Sequence, residues 1–176
     1  MYQKTTWVDG VSVANAEKLN NMENGIETNS RDIEKLKDVN IMQIAPQVSQ
    51  TISGTNVNTI NCLLHISVGD KLQFENNGVK IGNGISKVKV SANIFLDQKS
   101  GGSEAYMYGH ILKNAEDVGH TITYSNGLFG STSIPQKIIS VKKGDIITLG
   151  IELSKGTAIT RAGANSTWLY VEVVEW

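Results

Sequence analysis

Leu19, Met22, Ile26, Asn29, Ile33 and Leu36 recur at alternating spacings of three and four. That is the a/d register of a coiled coil, with one polar residue, Asn29, in the seam. A helix with so narrow an apolar stripe has nothing within itself to bury it against. The stripe therefore constrains the chain more than any other feature, because it asks for a second helix, and further copies of the same chain supply one. At the usual helical rise it extends roughly 27 Å. So short a coil needs the support of an attached domain.

The flanks of the stripe carry their own information. Asn15 suits an N-cap, and Glu17 suits the positive end of the helix dipole. In a parallel, in-register coil each g residue meets the e residue five positions on in a neighbouring chain. Here those pairs are Lys18 with Glu23 and Asp32 with Lys37, both opposite in charge, while Gly25 with Ser30 is neutral. A buried Asn at d fixes register and chain number at a cost in stability. Ile26 and Ile33 at a, with Leu36 at d, lean towards a dimer, so seam chemistry alone does not select three chains. The alternative reading is an amphipathic helix packed on its own domain.

The chain reads as an extended lead over residues 1–14, a coiled-coil helix over 15–38 and a head over 39–176. Beyond Val39 the period changes to two. Leu72 and Phe74 share one face of Lys71–Glu75. Val88, Val90, Ala92, Ile94 and Leu96 share one face of Ser86–Leu96. Further strands are expected at Glu104–Leu112, His120–Tyr124 (with Ile122 inward between two threonines), Lys137–Val141, Ile146–Leu153 and Trp168–Val174. Asn76-Asn77-Gly78, Gly82-Asn83-Gly84, Gly101-Gly102, Ser125-Asn126-Gly127 and Gly144-Asp145 mark turns between them. Eight to ten short strands without a fixed-period repeat predict a mainly β fold, an antiparallel sandwich or jelly roll.

Composition narrows the function. Lys and Arg total 16 against 17 Asp and Glu in 176 residues, a net charge of -1, with no clustered basic face for nucleic acid. No apolar run is long enough to span a membrane, and the first residues lack the apolar core of a secretory signal. Cys62 is the one cysteine and reads as a buried apolar side chain. His65, His110 and His120 are far apart and lack helical metal-ligand spacing, so neither a metal nor another cofactor is expected. No nucleophile motif or phosphate loop occurs, which predicts a non-enzyme. Asp97 and Glu104 flank the loop Lys99–Ser103, and read as a solvated loop tip rather than a hydrolase carboxylate pair. Saccharide recognition needs flat aromatics beside Asn, Asp or Thr. Tyr106, Tyr108, His110, Tyr124 and Asn126 fit that need, and core or interface packing accounts for each of them equally well; Trp168 fits too, but packing explains it better.

Two stretches carry a family resemblance. Trp7-Val8-Asp9-Gly10, then Asn15-Ala16-Glu17-Lys18-Leu19-Asn20 and Glu23-Asn24-Gly25-Ile26, resemble the start of tail-fibre and baseplate receptor-binding proteins of phages that infect Gram-positive bacteria. Gly78–Ile81, Val88–Leu96, Val141–Leu149 and Trp168–Val173 are similar to jelly-roll heads of the tumour-necrosis-factor and complement type. The resemblance implies a homotrimer, a place in the virion tail after synthesis in the bacterial host cytoplasm, and binding of host cell-wall saccharide. It also implies attachment to other tail or baseplate proteins through Trp7, Asp9 and Gly10; the equal alternative is that Trp7 packs on the helix N-terminus as a hydrophobic staple. One departure is the short coil, where many such proteins carry a longer shaft. A purely structural tail component and a cell-wall polysaccharide hydrolase are the other readings of the same resemblance.

Overall fold

The structure, a computed structural model, describes residues 6, 8, 16–37, 39–100, 105–125 and 129–176; at 34–37, 98–100, 125 and 129 it describes the backbone alone. The chain divides into two units, Met1–Val39 and Asn40–Trp176. No helix among the described residues is long and apolar enough to cross a membrane.

The first unit contains helix α1, Ala16–Lys37. Its local bonds are those of a solvated helix: Thr28 Oγ1 donates to the Asn24 carbonyl at 2.8 Å, and Arg31 pairs with Glu27 at 3.3 Å. The stripe is open, with Met22 64 %, Ile26 46 % and Ile33 53 % exposed. Leu19 is half-buried and Asn29 exposed, and the Leu36 side chain lies outside the described atoms.

The second unit holds β1 (Ile41–Ala45), β2 (Gln50–Ser53), β3 (Asn58–Thr59), β4 (Leu63–Val68), β5 (Leu72–Glu75), β6 (Gly78–Ile81), β7 (Lys87–Ser100), β8 (Ala105–Lys113), β9 (Glu116–Ser125), β10 (Phe129–Ser140), β11 (Ile146–Leu153), β12 (Thr157–Thr160) and β13 (Trp168–Glu175). That is thirteen strands among the described residues, against the eight to ten expected. The short β1–β4 and β12 lack the long alternation that reveals a strand. All pairings are antiparallel. One sheet runs β2-β12-β7-β13-β1-β4, with β10 on the other side of β7; the second runs β5-β6-β11-β8-β9, with β3 also on β11. Two such sheets packed face to face form the jelly-roll sandwich that the sequence predicted.

The core lies between the sheets. Val88, Val90, Ala92, Ile94 and Leu96, the predicted inner face of β7, are all buried. They meet Val79, Ile81, Met107, Ile111, Ile147, Leu149, Ile151 and Leu153 from the other sheet. Cys62 is among them, and burial pushes its thiol up to about 12, as an inert apolar cysteine requires. β10 begins at Phe129, eight residues before the expected Lys137, and ends at Ser140. Its first half, Phe129–Gln136, is rich in Ser, Gly and Thr, and Pro135 sits where the pairing with β7 shifts register between Ile134 and Lys137. A proline is tolerated at such an irregularity.

The β8–β9 hairpin turns on Asn114 and Ala115, both left-handed at φ 52° and 69°. Asn114 ties the turn to the neighbouring sheet strand: its Nδ2 donates to Asp145 Oδ1 at 2.8 Å, and its Oδ1 accepts from Ile146 N at 2.9 Å. Asn tolerates this backbone, whereas alanine does not. Ala115→Gly is therefore expected to stabilise the protein by about 1 kcal/mol, since relief of strain outweighs the added freedom of the unfolded chain. Urea denaturation reads this directly. An unchanged or lower midpoint would mean that the turn is not strained.

Candidate functional site

The hairpin β8–β9 brings most of the predicted ligand residues onto one face. Direct cross-strand partners are Tyr106 with Tyr124, Tyr108 with Ile122, and His110 with His120. Residues at i, i+2 and i+4 of a strand share a face, so these six side chains form two adjacent rows. Met107, Gly109 and Ile111 point the other way, into the core. Gly109 is required there, because a Cβ would lie 2.8 Å from Thr132 Cγ2.

The far end of the rows is aromatic. The Tyr106 and Tyr124 rings meet edge to face, with centroids 5.5 Å apart and planes at 61°, and both are half exposed. Tyr108 is partly buried. Ile122 corrects the sequence reading: it is 53 % exposed and lies on the outer face, while Thr121 and Thr123 are partly buried. Ile122 must share the face of its partner Tyr108, and β9 is an edge strand, where the inward-apolar rule is weakest.

The near end is polar. His110 and His120 converge on one carboxylate oxygen: Asp117 Oδ2 lies 3.0 Å from His110 Nδ1 and 2.9 Å from His120 Nδ1. Asp117 Oδ1 accepts from the Gly119 N–H at 2.9 Å. Burial on its own would raise the Asp117 carboxyl, but the bonds from His110, Gly119 and His120 hold it below the ordinary carboxylate value. An open groove of about 500 Å³ runs alongside, lined by Asp117, Gly119, His120, Pro135, Gln136 and Lys137. Lys137 Nζ donates to the Val118 carbonyl.

A bulge makes this cluster. Leu112 pairs with Asp117, but Ile111 pairs with Gly119, which leaves Val118 as the extra residue. Residues three apart on a regular strand face opposite sides; the added residue turns Asp117 and His120 to the same side. This also corrects the expectation for the histidines. Helical spacing was the wrong test, because a hairpin joins residues equidistant from its turn. His110 and His120 flank Asn114-Ala115 almost symmetrically, and that was the available signal. Asp117, His120, Ile122 and Glu152 belong to this face and were not among the predicted site residues.

The other predicted positions separate. Asn126 lies outside the described residues, as do Trp7, Asp9 and Gly10. Trp168 is on β13 in the other sheet, paired with Asn93. Asp97 is held by Arg161, whose Nε and Nη2 donate to its two oxygens at 3.2 and 2.7 Å; the guanidinium also lies 4.2 Å from the Phe95 ring centroid. Glu104 is outside the described residues.

No protein-family model matches the sequence, and no curated protein matches it. Solved structures do match in fold. Murine APRIL at pH 5.0 superposes with a TM-score of 0.58 at 12 % identity, covering 77 % of this chain and 99 % of that one. Murine APRIL at pH 8.5 gives 0.55 at 14 % identity with the same coverage. The Eiger TNF structure from S. frugiperda gives 0.54 at 10 % identity, covering 78 % and 93 %. The head therefore has the jelly-roll fold of tumour-necrosis-factor proteins.

Proposed function

We propose that the chain is a homotrimeric adhesin of the phage tail-fibre or baseplate type, whose head binds host cell-wall saccharide without catalysis. In this reading the coil sets the register of three chains. The lead with Trp7, Asp9 and Gly10 joins other tail proteins, and the assembly resides in the virion. The single observation that carries the binding role is the outward row on β8 and β9, where Tyr106 and Tyr124 offer half-exposed ring faces beside Tyr108. Flat aromatics with polar neighbours suit the apolar faces and hydroxyls of sugars. The resemblance of the first quarter of the chain supports the phage assignment, and the open heptad stripe supports self-association. Several weak sites on one assembly would gain avidity without high single-site affinity.

The test is retention on purified cell-wall polysaccharide from Gram-positive bacteria, with Tyr106→Ala and Tyr124→Ala alongside. Each substitution should weaken single-site binding about tenfold, equivalent to about 1.4 kcal/mol. A wild-type protein that binds no cell-wall polysaccharide would defeat the adhesin reading. It would favour a purely structural tail component, for which one observation speaks: Ile122 stands exposed amid the row and offers nothing to a hydroxyl-rich ligand.

A further inference from the structure

We propose that His110, Asp117 and His120 form a binding site for a divalent late transition-metal ion of the Zn²⁺ class, held by His110 Nδ1, His120 Nδ1 and Asp117 Oδ2. The fourth position is left to water or an external ligand. This goes beyond the adhesin reading and does not depend on it.

Four observations carry the site. The first is the donor set. Two imidazole nitrogens and a carboxylate oxygen are the ligands that zinc accepts in open three-residue sites. The second is geometry. All three donor atoms lie within 4.8 Å of one another, and the carboxylate oxygen is 3.0 and 2.9 Å from the two nitrogens. Tetrahedral zinc with bonds near 2.0–2.1 Å spaces its ligands about 3.3 Å apart, so small side-chain rotations suffice.

The third is the backbone. The Val118 bulge is the one feature that puts Asp117 and His120 on the same face, and the Asn114 latch fixes the turn from which the bulge is counted. The Gly119 N–H fixes the second oxygen of Asp117 and leaves Oδ2 aimed at both rings.

The fourth is an orphaned atom. His110 Nε2 is buried and has no hydrogen-bond partner among the described residues. The nearby carboxylate is Glu152 Oε2, at 3.8 Å. A neutral His110 that donates from Nδ1 to Asp117 would turn a bare Nε2 lone pair towards that carboxylate, an unfavourable arrangement. With an ion on Nδ1, the ring proton moves to Nε2 and points at Glu152. A ligating histidine whose second nitrogen donates to a carboxylate is the usual outer arrangement of such sites. Glu152 thus acts as a positioning residue. The ion is reachable, because Asp117 and His120 line the open groove.

The experiment uses the full chain without an affinity tag, stripped with chelator and titrated calorimetrically with Zn²⁺. Cobalt(II) follows as a spectroscopic probe. One ion per chain is expected, with d–d absorption of tetrahedral intensity from the cobalt form. His120→Ala and Asp117→Asn should each weaken Zn²⁺ binding at least tenfold. His120 is exposed, so its removal should leave the metal-free melting temperature in place while abolishing the rise that Zn²⁺ produces in the wild type. Glu152→Gln should weaken binding less than either, and His65→Ala not at all. Absence of saturable Zn²⁺ binding would overturn the site, as would equal binding by wild type, His120→Ala and Asp117→Asn.

Discussion

Gly82→Ala is expected to lower the stability of the head by about 3 kcal/mol, a large effect for one added methyl group. A Cβ at position 82 would stand 2.3 Å from the Lys71 carbonyl oxygen and 3.1 Å from its carbon. Both atoms are backbone, so no rotamer change relieves the clash. The same carbonyl accepts the Gly82 N–H at 2.8 Å, one step beyond the Leu72–Ile81 pair of β5 and β6. Opening the clash therefore also loosens that bond and shifts Leu72 and Ile81, both buried. Chemical denaturation with an unchanged m-value should place the midpoint well below wild type. A shift worth less than about 1 kcal/mol would mean that the two strand ends separate freely.

Ile26→Asp is expected to abolish the proposed association through the helix. Ile26 is at an a position in the middle of the stripe, and it is accessible to a neighbouring chain. Each chain of the assembly would then bring one unpaired carboxylate into the seam, at a cost of several kcal/mol per buried ion. So short a coil cannot offset that. Sedimentation equilibrium should give the mass of one chain, 19.1 kDa, where the proposed wild-type trimer should give three times as much. The far-ultraviolet signal of the head should stay, because the sandwich has its own core. Asn29→Ile in the same assay should strengthen association while blurring chain number. A wild type that sediments as one chain would remove the trimer. An unchanged mass for Ile26→Asp would move the association away from the helix.

How much of this could be read beforehand varies with position in the fold. β7 was legible because it is central and long: from Val88 to Leu96 its inner face is wholly apolar, and its outer face is polar except for Phe95, which lies under the Arg161 guanidinium. β11 and β13 were legible for the same reason. β4 was not, since Leu63–Val68 offers four apolar residues in six and is exposed throughout, leaving no contrast between faces. The first half of β10 was hidden by serine, glycine and Pro135, which read as loop. Ile122 was misplaced because an edge strand follows its partner, not its own polarity. Tyr106, Tyr108, His110 and Tyr124, picked out by residue type, share one face of the hairpin, and alternation alone puts three of them on one strand face. Asp117 was invisible because its orientation depends on a pairing irregularity between Ile111 and Leu112, which no local pattern announces.

The Val118 bulge has a consequence for how this protein would respond to sequence change. In a substitution scan Val118 would register as an ordinary half-buried valine beside the core. A change in the length of the hairpin is another matter. One residue inserted between Ile111 and Leu112, opposite Val118, would restore regular pairing, put Asp117 on the other side of β9 from His120 and leave His110 facing His120 with no carboxylate between them. The polar cluster is thus encoded in the length of the strand as much as in its letters. An insertion in β8, as much as a substitution of Asp117 or His120, would erase it.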